Sequence, residues 1–244
     1  MKKTWFGKCI YQSNTGAKVH QNFFYRWLTL GGNELHSMIN RRNPHRISLN
    51  YIHQLIFAIL ERPSEYCLLG LGGAGVIHAL EPCLHQRNNV AVENNADIIT
   101  IAHSYFYSKS IKNLNIIQQD AAQYVQTCHR KFGHVLVDLF GKESFPAQCN
   151  TQEFFNHCKR LLLPDGFLAV NITDLNEESS TLRHIRNTFS NKTVLLPVKG
   201  ASNVIALCCN SESLDYLINI LTNSAQVKSL SWDSDLGCIA HLHR

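Results

Sequence analysis

The chain has 244 residues, a length that suits one large domain or one domain with a small appendage. At 45% hydrophobic residues it can bury a sizeable core, which excludes global disorder. No apolar run approaches the roughly 20 residues of a membrane span. Met1-Lys2-Lys3 begins like a signal peptide, but no apolar segment follows before Lys8. The expectation is a soluble, cytoplasmic protein with no membrane partner.

Nine cysteines at irregular spacings include no Cys-x-x-Cys pair, and Cys208-Cys209 sit inside an apolar stretch. Such a pattern fits reduced, mostly buried thiols. The thirteen histidines contain no His-Glu-x-x-His pattern, so no metal is expected. Formal net charge is +5. Residues 1–62 hold nine Lys/Arg against Glu34 and Glu61, a local +7, and the rest of the chain carries −2. The basic excess is either a footprint for an anionic partner or a plain solvated surface.

Before residue 62 the chain alternates apolar and polar residues over Trp5–Tyr11, Ala17–Gln21, Phe24–Leu30 and Glu34–Ile39. Ser13-Asn14-Thr15-Gly16 and Gly31-Gly32-Asn33 read as hairpin turns between them. From about Ser48 a helical period puts Ile52, Leu55, Ile56 and Ile59 on one face. Residues 1–62 are thus expected to form a small antiparallel β appendage with a linking helix, and residues 63–244 a second unit.

In that second unit strands over Tyr66–Leu71, Asn89–Glu93, Leu114–Gln118, His134–Asp138 and Gly166–Asn171 alternate with helical patterns. The helices cover Ala74–Leu84, Ala96–Tyr105, Ala121–Cys128 and Thr151–Leu162. Alternation of this kind predicts an α/β fold with a parallel sheet covered on both faces. After a helix at Glu177–Phe189, the runs Thr193–Val198 and Asn203–Cys209 are separated by four residues. That connection is too short for a parallel crossover, so an antiparallel terminal hairpin is predicted.

Gly70-Leu71-Gly72-Gly73-Ala74-Gly75 follows the first of these strands and opens a helix. Glycines there let backbone N–H groups approach a ligand at the positive end of the helix dipole. Glu93 ends the next strand, 23 residues after Gly70, where an acid can accept both ribose hydroxyl hydrogens of a nucleoside. Asp120 and Asp138 end the third and fourth strands. Asp120 precedes Ala121-Ala122 and is equally placed to cap a helix. Asp138 follows three apolar residues at the strand end that faces the crevice.

These residues resemble the spermidine synthase family, built on the class I S-adenosylmethionine-dependent methyltransferase fold. The resemblance rests on the β appendage, the glycine loop, Val92-Glu93, Gln119-Asp120-Ala121 and Val137-Asp138 with its proline-containing loop. Glu153-Phe154-Phe155 and Leu163-Pro164-Asp165-Gly166 match the family's next helix and turn. The resemblance implies a Rossmann-like sheet of five parallel strands plus the hairpin. It implies that Gly70, Gly72, Gly73, Gly75 and Glu93 hold the nucleoside of S-adenosylmethionine or its decarboxylated form. Asp120 and the backbone of Ala121 would read the adenine edge, and Asp138 would serve the reacting acceptor.

The chain departs from the family's polyamine-making pattern on the acceptor side. An Asp of the family's glycine loop is matched by Gly73, a second Asp beyond the strand-end Asp by Gly141, and a Tyr-x-Glu motif by Tyr51-Ile52-His53. A family Gln aligns with His36. A polycationic acceptor needs several desolvated carboxylates, so ordinary spermidine synthesis is not expected. The expected function is transfer of a methyl or aminopropyl group to a small neutral or anionic acceptor, with Asp138 catalytic and Tyr51, His53 and His36 beside the acceptor. The alternatives are a non-catalytic nucleoside-binding protein and, on glycine spacing alone, a nicotinamide-dependent oxidoreductase. Arg41-Arg42 beside Phe23, Phe24, Tyr25 and Trp27 leaves nucleic acid open as an acceptor, but their alternation predicts core packing instead. The oligomeric state is open, a homodimer included.

Overall fold

The computed structural model describes residues 3–32, 35–140, 145–175 and 178–243. Glu34 and Gly141 lie outside the described residues. No helix among the described residues is long and apolar enough to cross a membrane.

Four strands, β1 (Lys8–Gln12), β2 (Ala17–Gln21), β3 (Tyr25–Leu30) and β4 (Ser37–Asn40), form an antiparallel meander in that order. The alternation works as expected over β2, where Ala17 and Val19 face inward. They join Leu28 and Ile39 in a cluster with Ile98, Ile101 and Phe106 from the second unit. The expected strand at Trp5 begins only at Lys8, and Trp5 is exposed. Phe23 and Phe24 are also corrected: they lie in the turn before β3 and are exposed, with the Arg42 guanidinium 4.4 and 5.7 Å from their ring centres. Alternation was extended past the strand end, where pleating no longer sets side-chain direction. Trp27 is buried, stacked on His20.

The linking helix is two short helices, α1 (Tyr51–Leu55) and α2 (Phe57–Glu61), broken at Ile56 (φ −93°, ψ 1°). Its expected face holds nonetheless, since Ile52, Leu55, Ile56 and Ile59 are all buried.

The second sheet starts with β5 (Tyr66–Leu69), then α3 (Gly75–Leu84), β6 (Asn89–Glu93), α4 (Ala96–Tyr105) and β7 (Leu114–Gln118). It continues with α5 (Ala121–Thr127), β8 (Phe132–Val137), α6 (Gln152–Arg160) and β9 (Leu162–Ile172). Then come α7 (Ser179–Thr188), β10 (Thr193–Pro197), β11 (Val204–Cys209), α8 (Leu214–Asn223), β12 (Val227–Asp233) and β13 (Gly237–Leu242). Strand order is β12-β13-β10-β11-β9-β8-β5-β6-β7. The five strands β7, β6, β5, β8 and β9 are parallel, and β11 pairs antiparallel with both β9 and β10, as expected.

The hairpin is not terminal, however. Residues 214–242 supply α8 and a further hairpin, β12–β13, with β13 parallel to β10. The β12 pattern is mostly exposed, so it lacks the apolar run that marks a central strand.

Odd and even strand residues separate the two faces. Tyr66, Leu68 and Leu136 pack with α1, α2 and α3, whereas Cys67, Leu69, Val135 and Val137 pack with α5, α6 and α7. Strand order reverses between β5 and β8, which opens a crevice beyond their carboxyl ends.

Candidate active site

The crevice begins at the glycine loop. Gly70 has φ +98°, and a Cβ there would lie 2.1 Å from the backbone oxygen of Asp138. Only glycine permits that approach of the β5 and β8 ends. A Cβ on Gly73 would meet Ser37 Oγ at 2.8 Å and the Phe106 ring at 2.9 Å. The position matched to the family's loop acid is therefore closed by β4 and by the residue that follows α4. Ala74, which caps α3, sits in the left-handed region at φ 57°, ψ 18°, a conformation unfavourable for any residue with a Cβ.

Glu93, at the end of β6, is held against this loop. Its Oε2 accepts from Leu71 N–H (3.2 Å) and its Oε1 from Asn95 N–H (3.0 Å). Asp120 is the N-cap of α5: Oδ1 accepts from Ala122 and Gln123 N–H (2.9 and 3.2 Å). The capping function is present, and it uses one oxygen only. The other, Oδ2, accepts from the side-chain amide of Gln148 at 3.2 Å. Glu93, Asp120 and Ala121 all line one cavity of about 180 Å3 with Gly70, Gly72 and Gly75.

Asp138 closes the same cavity on its far side. Its Oδ2 accepts from Tyr51 OH and its Oδ1 from Asn171 Nδ2, both at 2.9 Å. Asn171 Oδ1 in turn accepts from Asn203 Nδ2 at 3.0 Å. Burial raises the Asp138 pKa to about 6 against the two donated hydrogen bonds, which pull it down. Burial, then the neighbouring Asp138 charge, pushes the Tyr51 phenol well above its usual value. Asn171 and Asn203 escaped the sequence reading. The available signal was that Asn171 is the polar residue at the crevice end of a strand already expected there.

Beyond Asp138 a second cavity, of about 520 Å3, shares Tyr51, His36 and Phe140 with the first. His36 stacks on Phe140 with ring centres 5.9 Å apart. Of the expected acceptor-side residues, Tyr51 and His36 line the cavities and His53 lines neither. Among the described residues no carboxylate lines this second cavity, and its one ionised side chain is Lys3. Lys18, Arg26, Arg41, Arg42, Arg46 and Arg62 of the basic segment line neither cavity.

A mostly parallel sheet with antiparallel β11 beside β9 is the architecture of class I S-adenosylmethionine-dependent methyltransferases and of the spermidine synthases built on it. The spermine/spermidine synthase domain model matches residues 57–198, and the chain belongs to that family. The polyamine aminopropyltransferase of Chromobacterium violaceum is 26% identical over 186 residues, covering 75% of this chain and 71% of that protein. The polyamine aminopropyltransferase of Neisseria meningitidis serogroup A is 24% identical over 215 residues, covering 86% and 82%. The crystal structure of a probable spermidine synthase from Corynebacterium glutamicum superposes with a TM-score of 0.70 at 17% identity, covering 96% of this chain and 89% of that one.

The backbone of Ala74 generates a stability prediction. Ala74→Gly relieves a left-handed alanine, an effect of about 1–2 kcal/mol, partly offset by the extra freedom of glycine in the unfolded chain. The lost methyl is fully buried in the core and worth about 0.8 kcal/mol, so the urea midpoint should shift by the equivalent of less than about 0.5 kcal/mol at unchanged slope.

Proposed function

We propose that this chain is an alkyltransferase that takes a methyl or aminopropyl group from S-adenosylmethionine or its decarboxylated form and passes it to a small neutral or anionic acceptor. The observation that carries the acceptor class is the second cavity, with Lys3 and no carboxylate among its described lining residues. Family membership supports the donor chemistry, and the curated relatives that make polyamines favour the aminopropyl form. The filled Cβ site at Gly73 removes the acid that would repel the carboxylate of intact S-adenosylmethionine. Residues 1–62 act in this reading as a cover over the nucleoside-binding unit, 63–244.

The glycine loop and Glu93 hold the ribose, and Asp120 and Ala121 meet the adenine. The free lone pairs of the Glu93 carboxylate face hydroxyl donors, and Asp120 Oδ2 exchanges the Gln148 amide for the ligand's amino group. Transfer then needs alignment more than activation, because the sulfonium is already a good leaving group. The acceptor's lone pair bonds to the alkyl carbon as the carbon–sulfur bond breaks and its electron pair returns to sulfur. Asp138, fixed by Tyr51 and Asn171, takes the proton the acceptor releases. This retained base and its orienting pair favour an enzyme over a bare binding protein.

Glu93→Gln and Asp120→Ala should each weaken 5′-methylthioadenosine and S-adenosylhomocysteine by roughly 1–3 kcal/mol in isothermal titration, because buried partners are left unpaired. Unchanged affinity in both variants removes the nucleoside site.

The acceptor is tested by following thioether release from each donor with diamines, neutral amines and amino acids. Turnover is expected with the neutral or anionic compounds, and turnover with putrescine near 1 per second, ordinary for an enzyme, overturns the acceptor class.

Asp138 sets the pH dependence. Its pKa lies above the usual carboxylate value at about 6, so the base is progressively protonated below that pH. kcat/KM should fall about tenfold per pH unit on that side. Asp138→Asn should remove the limb and lower kcat by about 10²–10⁴-fold. It should also raise the thermal midpoint at pH 8, because a raised carboxyl pKa means the charged form destabilises the fold once pH exceeds the unfolded value.

A further inference from the structure

Outside the crevice, one turn into α3, three side chains converge that take no part in the transfer chemistry. His78 and Glu81 lie three apart on α3, and His45 comes from the connection between β4 and α1. One donor atom from each lies within 4.8 Å of the others. Glu81 Oε2 is 3.5 Å from His45 Nδ1 and 3.9 Å from His78 Nδ1, close to the spacing of neighbouring ligands around one small cation.

His78 gives this cluster its direction. It is 2% exposed, and its Nε2 lies 2.6 Å from the carbonyl oxygen of Phe106. A carbonyl only accepts, so Nε2 carries the proton and Nδ1 carries the lone pair. That Nδ1 is buried without a hydrogen-bond partner and faces Glu81. A buried acceptor without a donor is costly, and a second nitrogen pinned to a backbone carbonyl is the arrangement that orients a metal-ligating histidine. His45 Nδ1 lies 3.1 Å from the His78 carbonyl oxygen and donates to it in the metal-free chain, so ligation moves that proton to the other ring nitrogen on the exposed side. A protonated His45 would neutralise Glu81 but leave the His78 lone pair unmet. A cation answers all three groups at once.

We propose that His45, His78 and Glu81 form a zinc site that ties the β4–α1 connection to the glycine-loop helix. Two imidazoles and one carboxylate suit borderline Zn2+, with water completing the shell on the exposed His45 side. The ion would brace α3 from behind. Through the Phe106 carbonyl it would also steady the residue whose ring closes Gly73. This site is independent of the transfer reaction and stands or falls separately from it.

The test uses the full chain stripped with EDTA and titrated with Co2+, then with Zn2+ in competition. One Co2+ per chain should bind with the visible bands of a nitrogen/oxygen site and no thiolate-to-cobalt charge-transfer band. Zn2+ should displace it with micromolar or tighter affinity and raise the thermal midpoint. His45→Ala and Glu81→Gln should each weaken binding at least tenfold and abolish the zinc-dependent rise, with the circular dichroism unchanged. Neither change touches the catalytic crevice, so neither relies on an activity assay. Absence of stoichiometric binding overturns the proposal, as does wild-type affinity in both variants. A thiolate band does so as well, since it assigns the metal to cysteines.

Discussion

The crevice depends on one close passage of backbone past backbone. Gly70 leaves β5 with positive φ and runs so near the Asp138 carbonyl at the end of β8 that no side chain fits between them. Asp138 N–H donates to Leu69 O and Gly70 N–H to Val92 O, each at 2.8 Å. The ladder thus continues to the lip of the sheet before the chains diverge. That contact sets the loop, Glu93 and Asp138 around one cavity, and each then gains its own anchor. Glu93 is tied to loop and helix N–H groups, Asp120 to the start of α5, and Asp138 to two side chains.

Asp138 shows how stability and chemistry oppose each other here. A carboxyl buried beside the first cavity is costly in its charged form, and the fold compensates in part with the Tyr51 and Asn171 hydrogen bonds. Those bonds also fix the carboxylate's direction, and the residual rise in pKa makes it a better proton acceptor near neutral pH. Asn203 extends the chain to the loop between β10 and β11. The antiparallel hairpin therefore does more than finish the sheet, since its loop buttresses the acid.

Much of this was legible in the sequence, for reasons that also mark its limits. The buried strands β5, β6 and β8 are short apolar runs, each ending in a glycine or an acid at the crevice, so period and punctuation agree on the fold and on which candidate residues share one cavity. Asp120 could be read two ways, and the structure uses it as a cap while leaving its second oxygen at the cavity. What failed was local or non-local in a specific way. Phe23 and Phe24 lie past a strand end, where alternation carries no information. β12 is an edge strand without an apolar run. The partners of Asp138 are polar residues 33 and 87 positions away, and no spacing rule reaches them. His45 and His78 meet by the same kind of long return, 33 residues apart, which is why a chain without a metal motif can hold such a cluster.

The +7 of residues 1–62 allows a footprint for an anionic partner or a plain solvated surface. In the fold, its arginines line neither cavity, and Arg42 lies over exposed phenylalanines instead. Arg46 still acts on the cavity wall, since burial and then the Arg46 charge lower the pKa of Lys3. In the proposed reading the groups that line the cavity set the discrimination. A diamine entering the second cavity would meet Lys3, amides, hydroxyls and apolar walls, with no carboxylate among the described lining residues and Asp138 reached through the Tyr51 hydroxyl. One carboxylate can receive one ammonium, and in transfer that group must be the neutral nucleophile. In the proposed reading the distal ammonium would meet no carboxylate among the described lining residues, a cost that a neutral or anionic acceptor does not incur.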